Sequence, residues 1–383
     1  MNSTPSQIRG QETRVLLLES FYGGSHRSVA DGLVSHSRHS IDLLTLPARF
    51  WKWRMRGASL WFADRIGADK TVSGIPYDLI LCSSLMDVAA LKALLGHTCP
   101  PILLYCHETQ LVYPQPGQND GDLHFAFTDL VNMLVADRVL FNSDTHRQRY
   151  LEALPAFLRR LPEYRPMWSV DAVAAKAATC YPGITLAAPE APPADDASPP
   201  LIIWNHRWEF DKAPAAFFAA LRELADRGCE FQVALLGENF NTMPQEFSEA
   251  RRVLGNRIVQ YGYVADQAEY HRWLARGRVV VSTAIQENFG IAVMEAMAHG
   301  CHPILPNRLS YPEIIPAEFH HTCLYSDHDG LVSLLETNLG PTPRVKHGGA
   351  DPRLIAHARS FEWSLRIGQF DEIIDEMTGR SRE

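Results

Sequence analysis

Residues 187–200 read AAPEAPPADDASPP, with five prolines and no large apolar side chain. A stretch of that composition cannot bury itself and behaves as a linker. The same alternation of elements lies on both sides of it. Before it, the apolar runs Arg14–Glu19, Leu79–Ser83, Ile102–Cys106 and Arg138–Phe141 are predicted strands, each closed by turn residues. Helical patterns stand between them: one starts near Ser25, one covers Met86–Leu95, and a polar one follows Asn142-Ser143 through Tyr150. After it, strands are predicted at Leu201–Trp204, Phe231–Leu236, Ile258–Tyr261, Val279–Ser282 and Pro303–Leu305, with helices at Ala213–Arg227, Ala268–Ala275 and Ile291–His299. Short apolar runs separated by helical patterns indicate parallel βαβ units. The predicted fold class is α/β, with two doubly wound Rossmann-like domains. Ligands of such sheets sit beyond the carboxyl ends of the strands, so the site is expected in the cleft between the domains.

The 383 residues, 46% hydrophobic and 21% charged, suit a soluble two-domain enzyme and exclude disordered and disulfide-scaffold classes. No apolar run approaches the roughly 18 residues that span a bilayer. The first residues, MNSTPSQIRGQET, lack a basic segment followed by an apolar one, so a cytoplasmic location is expected. Seven cysteines (82, 99, 106, 180, 229, 301 and 323) form no CxxC, which points to reduced thiols. The net charge of −8 argues against a nucleic-acid partner until it is divided. Residues 1–185 hold 18 Lys+Arg against 17 Asp+Glu, and residues 186–383 hold 18 against 27. All the excess acidity therefore belongs to the second half.

The sharpest chemical signal is QENFGIAVMEAMAHG at 286–300, where Glu287 and Glu295 are separated by seven residues. Glu287-Asn288-Phe289-Gly290 follows a strand and opens a helix, and a glycine turn at a helix N-terminus offers N–H groups and a positive dipole end to a phosphate. Carboxylates on that scaffold suit paired sugar hydroxyls. WNHRWEFDKAP at 204–214 places Arg207 and Lys212 on a loop beyond a strand, a charge clamp for a diphosphate. FYGGSH at 21–26 carries a glycine pair, Gly23 and Gly24, which could equally be a plain tight turn. In YCHETQLVYP, His107 stands at a strand end facing the cleft. No metal site is expected: Cys106-His107 and Cys301-His302 lack partners at ligand spacing, and Asp195-Asp196 falls in the linker.

Glu287 and Glu295, with Arg207 and Lys212 upstream, resemble the motif of the retaining family-4 glycosyltransferases of the GT-B fold. LLLESFYGGSHRSVADGL, LPARFWKWRMRGA, YCHETQLVYP and LFNSDTHRQRYLEAL resemble the tRNA-queuosine alpha-mannosyltransferases. The resemblance extends from about Arg14 to Glu313, and its first-half segments are the specific part. It implies that Arg207 and Lys212 neutralise the diphosphate leaving group, that Glu295 binds the nucleotide ribose, and that Glu287 contacts the donor sugar beside the backbone of Asn288, Phe289, Gly290 and Ile291. It further implies His107 near the reacting centre and Gly23 and Gly24 beside the diphosphate. The implied donor is GDP-mannose, the implied acceptor is queuosine in a tRNA anticodon, and neither a cofactor nor a metal is implied. The domains are then 1–186 for the acceptor, 187–200 as linker, 201–355 for the nucleotide sugar, and 356–383 with a helix over Phe361–Met377 that crosses back to the first domain.

Residues 49–56, RFWKWRMR, interleave Arg49, Lys52, Arg54 and Arg56 with Phe50, Trp51 and Trp53. Cations track phosphates and aromatic faces stack unpaired bases, so Arg49, Trp51, Lys52, Trp53, Arg54 and Arg56 are the candidate tRNA contacts. An amphipathic segment with buried tryptophans is the alternative. Arg159, Arg160 and Arg165 could extend the basic patch or form an ordinary solvated face. Two other functions remain compatible with the residues. One is a transferase acting on a lipid or small molecule, with segment 49–56 at a membrane surface. The other is a nucleotide-sugar or RNA-binding protein without catalysis.

Overall fold

The computed structural model describes residues 12–68, 77–114, 123–186, 199–238, 245–340 and 349–379. Most of the proline-rich linker, 187–198, lies outside them. The first domain is built on β1 (Arg14–Tyr22), β2 (Ser40–Pro47), β3 (Leu79–Ser83), β4 (Ile102–Cys106), β5 (Arg138–Phe141) and β6 (Ala177–Thr179). These pair in the order β2-β1-β3-β4-β5-β6, all parallel. The second domain holds β7 (Leu201–Trp204), β8 (Gln232–Leu235), β9 (Ile258–Tyr261), β10 (Val279–Val281), β11 (His302–Pro306) and β12 (Leu324–Tyr325). Their order is β12-β11-β10-β7-β8-β9, again all parallel.

Both sheets are covered by helices on two faces, which is why their central strands are apolar throughout rather than alternating. Along β1, Leu16 and Leu18 face one core while Val15 and Leu17 face the other. The helices Trp51–Ala68, Val88–Leu95 and His124–Val135 contribute to the first of these cores, and Gly24–His36 to the second. The second face is completed by Trp363–Thr378, a helix that follows the second domain in sequence and packs on the first. Trp363 is buried in a slot that depends on two glycines, since a Cβ on Gly32 or Gly183 would lie 2.0 or 2.3 Å from its ring. Asp371 of the same helix accepts from the Ser37 hydroxyl at 2.6 Å.

Strands β2, β6 and β12 were not expected from the sequence. All three are edge strands. SIDLLTLP in β2 is mostly half-buried, and β6 and β12 are three and two residues long, too short to give an apolar run. The helix expected from Ala213 begins at Pro214, because Ala213 has a left-handed φ of 46° and Pro214 takes the first helical position.

The strand orders position the ligand cleft. In the first sheet the chain reverses its winding between β1 and β3, and in the second between β7 and β10. Crevices at such reversals receive ligands. Among the segments that leave these strands are Gly23 after β1, Asn205–Glu209 after β7, and Ser282–Gly290 after β10. Three of the motifs singled out by their chemistry therefore stand at the two switch points.

Candidate active site

The cleft between the domains is lined by Ser25, Val29, Tyr105, His107, Glu108, Tyr113, Asn142 and Pro182 from the first side, and by Arg207, Asp211, Lys212, Gln286, Glu287, Asn288, Phe289, Gly290 and Ile291 from the second. Eight of the predicted residues are thus brought together: His107, Arg207, Lys212, Glu287, Asn288, Phe289, Gly290 and Ile291. Gly23 and Gly24 are not part of this lining, to which Ser25 and Val29 of the following helix contribute. Gly24 has a left-handed φ of 52°, and a Cβ on Gly23 would lie 2.5 Å from that of Ala48. Both glycines serve the chain's path.

On the second domain's side, Lys212 is buried. Its Nζ donates to the Gln286 carbonyl at 2.8 Å and lies 3.1 Å from Asp211 and 3.3 Å from Glu287. Burial opposes its charge, but Glu287 and Asp211 outweigh that and hold its pKa above the ordinary lysine value. Glu287 is affected in the reciprocal sense: burial would raise its pKa, and Lys212 brings it below the usual carboxylate value. Arg207 is half-buried, 3.3 Å from Glu209, and its pKa is raised by Glu209 and its other acidic neighbours against burial. Two cations are therefore held charged beside the N-terminus of the helix Ile291–Ala298, which Gly290 opens at φ 100°. Phe289 is buried, its ring near Tyr181 and Phe361, so it offers the cleft its backbone.

Glu295 lies one turn into that helix and outside the cleft lining just described. Its carboxylate accepts from the Tyr270 hydroxyl at 3.0 Å. Burial pushes its pKa up to about 7, against that hydrogen bond. Asn205, at the end of β7, donates to both the Tyr270 oxygen and the Ala292 carbonyl.

On the first domain's side, the site contains a charged assembly that the sequence reading missed. His26 is buried between two carboxylates, with Nδ1 3.2 Å from Glu19 and Nε2 3.2 Å from Glu108. Its ring stacks on His107 with centroids 3.9 Å apart. Glu19 also accepts from the Ser83 hydroxyl at 2.9 Å and the Phe21 N–H at 2.7 Å, and lies 3.8 Å from Nε2 of His107. Burial alone would lower the His26 pKa, but Glu19 and Glu108 raise it to about 10. Burial and the neighbouring imidazolium push His107 down to about 3, so it is neutral. Burial would raise Glu108, yet His26 holds it at about 2. Glu19, His26 and His107 bring potential ligand atoms within 4.8 Å of one another. Yet both His26 nitrogens already face carboxylates, and the two rings are nearly parallel at 24°. Their in-plane lone pairs then run side by side rather than toward one ion, so the trio is an ion-paired assembly and fits a metal poorly. His26 and Glu108 lay inside the quoted segments FYGGSH and YCHETQLVYP; a charged residue beside each singled-out one was the available signal.

Polar contacts tie the two sides together. The His107 carbonyl accepts from Asn142 of the first domain and from Asn288 of the second, each at 2.9 Å. Gln286 donates to Asn288 at 2.9 Å and accepts from Arg149 at 3.4 Å. Glu313 of the second domain accepts from the N–H groups of Asp144 and Thr145 at 2.7 Å and from the Tyr181 hydroxyl at 2.6 Å. It thus occupies the N-terminus of the first domain's helix Asp144–Arg159, where a carboxylate is favoured.

Residues 49–56 lead from β2 into the helix Trp51–Ala68. Phe50 and Trp53 are 70% and 64% exposed. Trp51 is half-buried and rests on Phe125 at 5.3 Å, so Phe50 and Trp53 are the more open of the three aromatics. Lys52 lies over the Trp51 ring and Arg49 over Phe50. Arg54 donates to the Pro47 carbonyl, and Arg56 lies over Phe125 and donates to the Thr128 hydroxyl at 3.4 Å. Ala48, which abuts Gly23, joins this segment to the glycine loop at the cleft. Arg159 and Arg160 close the helix Asp144–Arg159, and Arg165 follows in the loop before the helix Trp168–Ala174. The helix Asp144–Arg159 starts at the carboxyl end of β5, beside the cleft, and its 16 residues carry its far end about 24 Å away.

Comparison with known proteins matches both halves of the chain. Residues 14–184 match the family described as tRNA-queuosine alpha-mannosyltransferase N-terminal, and residues 199–337 match glycosyl transferases group 1. The tRNA-queuosine alpha-mannosyltransferase of Drosophila melanogaster is 33% identical over 343 residues, 86% of this chain and 88% of that protein. Among solved structures, the catalytic domain of starch synthase IV from Arabidopsis thaliana, bound to ADP and acarbose, superimposes with a TM-score of 0.70 at 14% identity, covering 97% of this chain and 100% of that one. The sucrose-phosphate synthase of Thermosynechococcus elongatus gives 0.69 at 17% identity, with coverage of 97% and 100%. At those identities the likeness establishes the two-domain GT-B glycosyltransferase fold. Among the described residues, no helix is long and apolar enough to cross a membrane.

Proposed function

The chain belongs to the tRNA-queuosine alpha-mannosyltransferase family of glycosyltransferases, and from that premise we propose that it moves mannose from GDP-mannose, with retention of configuration and without a metal, onto the cyclopentenediol of queuosine in a tRNA anticodon. The observation that carries this reading is the likeness to the insect enzyme over 86% of the chain together with a cleft that holds two charged cations and a helix N-terminus on one side.

The chemistry follows from that charge distribution. Breaking the bond between the sugar's anomeric carbon and the diphosphate leaves negative charge on the diphosphate oxygens. Arg207, Lys212 and the N–H groups at Asn288–Ile291 stabilise it from preorganised positions. Glu287, held ionised by Lys212, accepts hydrogen bonds from the sugar hydroxyls, and Glu295 with Tyr270 serves the nucleotide ribose. The acceptor hydroxyl approaches the same face the diphosphate leaves. Its oxygen bonds to the anomeric carbon, and its proton passes to a departing diphosphate oxygen. His107, neutral and fixed through its carbonyl by one asparagine from each domain, borders the reacting centre. Phe50 and Trp53 stack unpaired anticodon-loop bases, while Arg49, Lys52, Arg54 and Arg56 supply positive charge toward the phosphates.

The test is incubation with GDP-mannose, GDP-glucose, UDP-glucose or UDP-galactose and queuosine-containing tRNA, with and without EDTA, followed by mass spectrometry of the nucleosides. A gain of one hexose on queuosine, with GDP-mannose and undiminished by EDTA, is expected. No gain with any donor would overturn the acceptor; a gain with another donor would overturn GDP-mannose.

A further inference from the structure

We propose that Glu108 is the acceptor-binding carboxylate of the cleft, taking a hydrogen bond from a vicinal diol, and that Glu19 and His26 are the buried frame that positions it. The inference rests on the transferase reading above and adds a residue to it.

Glu108 follows His107 beyond the end of β4 and lines the cleft on the first domain's side, across from Arg207, Lys212 and Glu287. Its side chain is 19% exposed, the most open of the assembly it belongs to. Among the described residues its hydrogen bond is made through one oxygen, Oε2, to His26. The second oxygen remains for a ligand. His26 is fixed from behind by Glu19, itself held by the Ser83 hydroxyl and the Phe21 N–H. A surface carboxylate swings freely; this one is tied to a buried imidazolium that is tied to a buried carboxylate.

The ligand class follows from charge. A carboxylate repels a diphosphate, and the cations that suit a diphosphate are on the opposite side. A neutral group rich in O–H donors is what an ionised carboxylate with a spare oxygen selects, and a diol supplies two such donors. With its pKa held at about 2, Glu108 remains ionised and is a weak base, so it orients the hydroxyl rather than removing its proton. Orientation of the attacking oxygen is itself a large contribution to rate.

The experiment compares the wild type with Glu108→Gln in two measurements: kcat/KM for queuosine-tRNA at saturating GDP-mannose, and the affinity for GDP by calorimetry. Loss of one charged hydrogen-bond partner predicts a fall of about 10- to 100-fold in kcat/KM, with the GDP affinity undiminished, since Glu108 is near enough to act on Arg207 and its negative charge opposes a diphosphate held there. Undiminished transfer would overturn the proposal, as would an equal loss of GDP affinity, which would move Glu108 to the donor. Should thermal melting show that Glu108→Gln does not fold, Glu108→Asp decides. It retains a negative charge for His26 but withdraws the carboxylate by one methylene, so lowered kcat/KM with intact GDP affinity supports the proposal and full transfer overturns it. Wild-type transfer to queuosine-tRNA reports on the proposed function by itself, and the variant-to-wild-type ratio reports on Glu108.

Discussion

Replacing His26 by Gln tests the buried charge assembly directly. His26 is 5% exposed and lies 3.2 Å from a carboxylate on each ring nitrogen. Its rise from 6.5 to about 10 corresponds to about 4–5 kcal/mol of preference for the imidazolium in the folded state. Removing one partner of a buried ion pair costs about 3–5 kcal/mol, the same order. The expected loss for His26→Gln is therefore about 3 kcal/mol or more near neutral pH, a large share of the about 5–15 kcal/mol that holds a typical domain folded. The sign of the pH dependence is fixed. A raised folded-state pKa means that the contribution is complete below pH 6.5 and is lost as pH rises through about 10, at about 1.4 kcal/mol per unit. Urea unfolding of wild type and variant at intervals from pH 6 to 10 measures both quantities. The gap between them is expected to narrow steadily over that range. A loss under about 1 kcal/mol at neutral pH, or parallel curves up to pH 10, would refute the reasoning.

Other outcomes follow from the same geometry. Lys212→Ala removes a preorganised cation from the leaving group and is expected to lower kcat by about 100- to 1,000-fold in a transfer assay, while circular dichroism remains unchanged. Glu287→Ala is expected to abolish transfer with the fold retained; near-normal turnover would remove it from the donor site. The double change Phe50→Ala and Trp53→Ala should weaken binding of a queuosine anticodon stem-loop at least about 10-fold, and Lys52→Ala with Arg56→Ala should flatten the salt dependence of that binding. Glu313→Gln takes a carboxylate from the N-terminus of Asp144–Arg159 and is expected to open the two domains, read as a larger radius of gyration in solution scattering.

The division into two wound domains was legible because their central strands are buried on both faces and so appear as unbroken apolar runs. Three of the four edge strands were not, since β2 is half-exposed and β6 and β12 are too short to carry a pattern. On the second domain, Arg207, Lys212 and Glu287 were legible because loop, turn and helix are local features. The assembly of Glu19, His26 and Glu108 was hidden for the opposite reason. Its members come from three places in the chain, and a charged residue looks solvent-exposed until its partners are known. Asn142 and Gln286 escaped in the same way, and Asn288, expected for its backbone, was not foreseen as a link between the domains. Their work is to join the domains, and that pairing is set by tertiary structure. In segment 49–56 the composition was read correctly as cationic and aromatic, but only helical geometry separates the outward Trp53 from Trp51 against Phe125.

The return of Trp363–Thr378 to the first domain bears on how the protein is made. Val15, Leu17, Leu79 and Leu103 share their core with Trp363, Phe370 and Ile374. A ribosome delivers that helix only after both sheets have emerged, so a nascent first domain waits with one apolar face only partly covered, by Gly24–His36, while the second is synthesised. Folding of the two halves is thereby made interdependent, and an incomplete product presents a sticky surface to the cell's quality-control machinery.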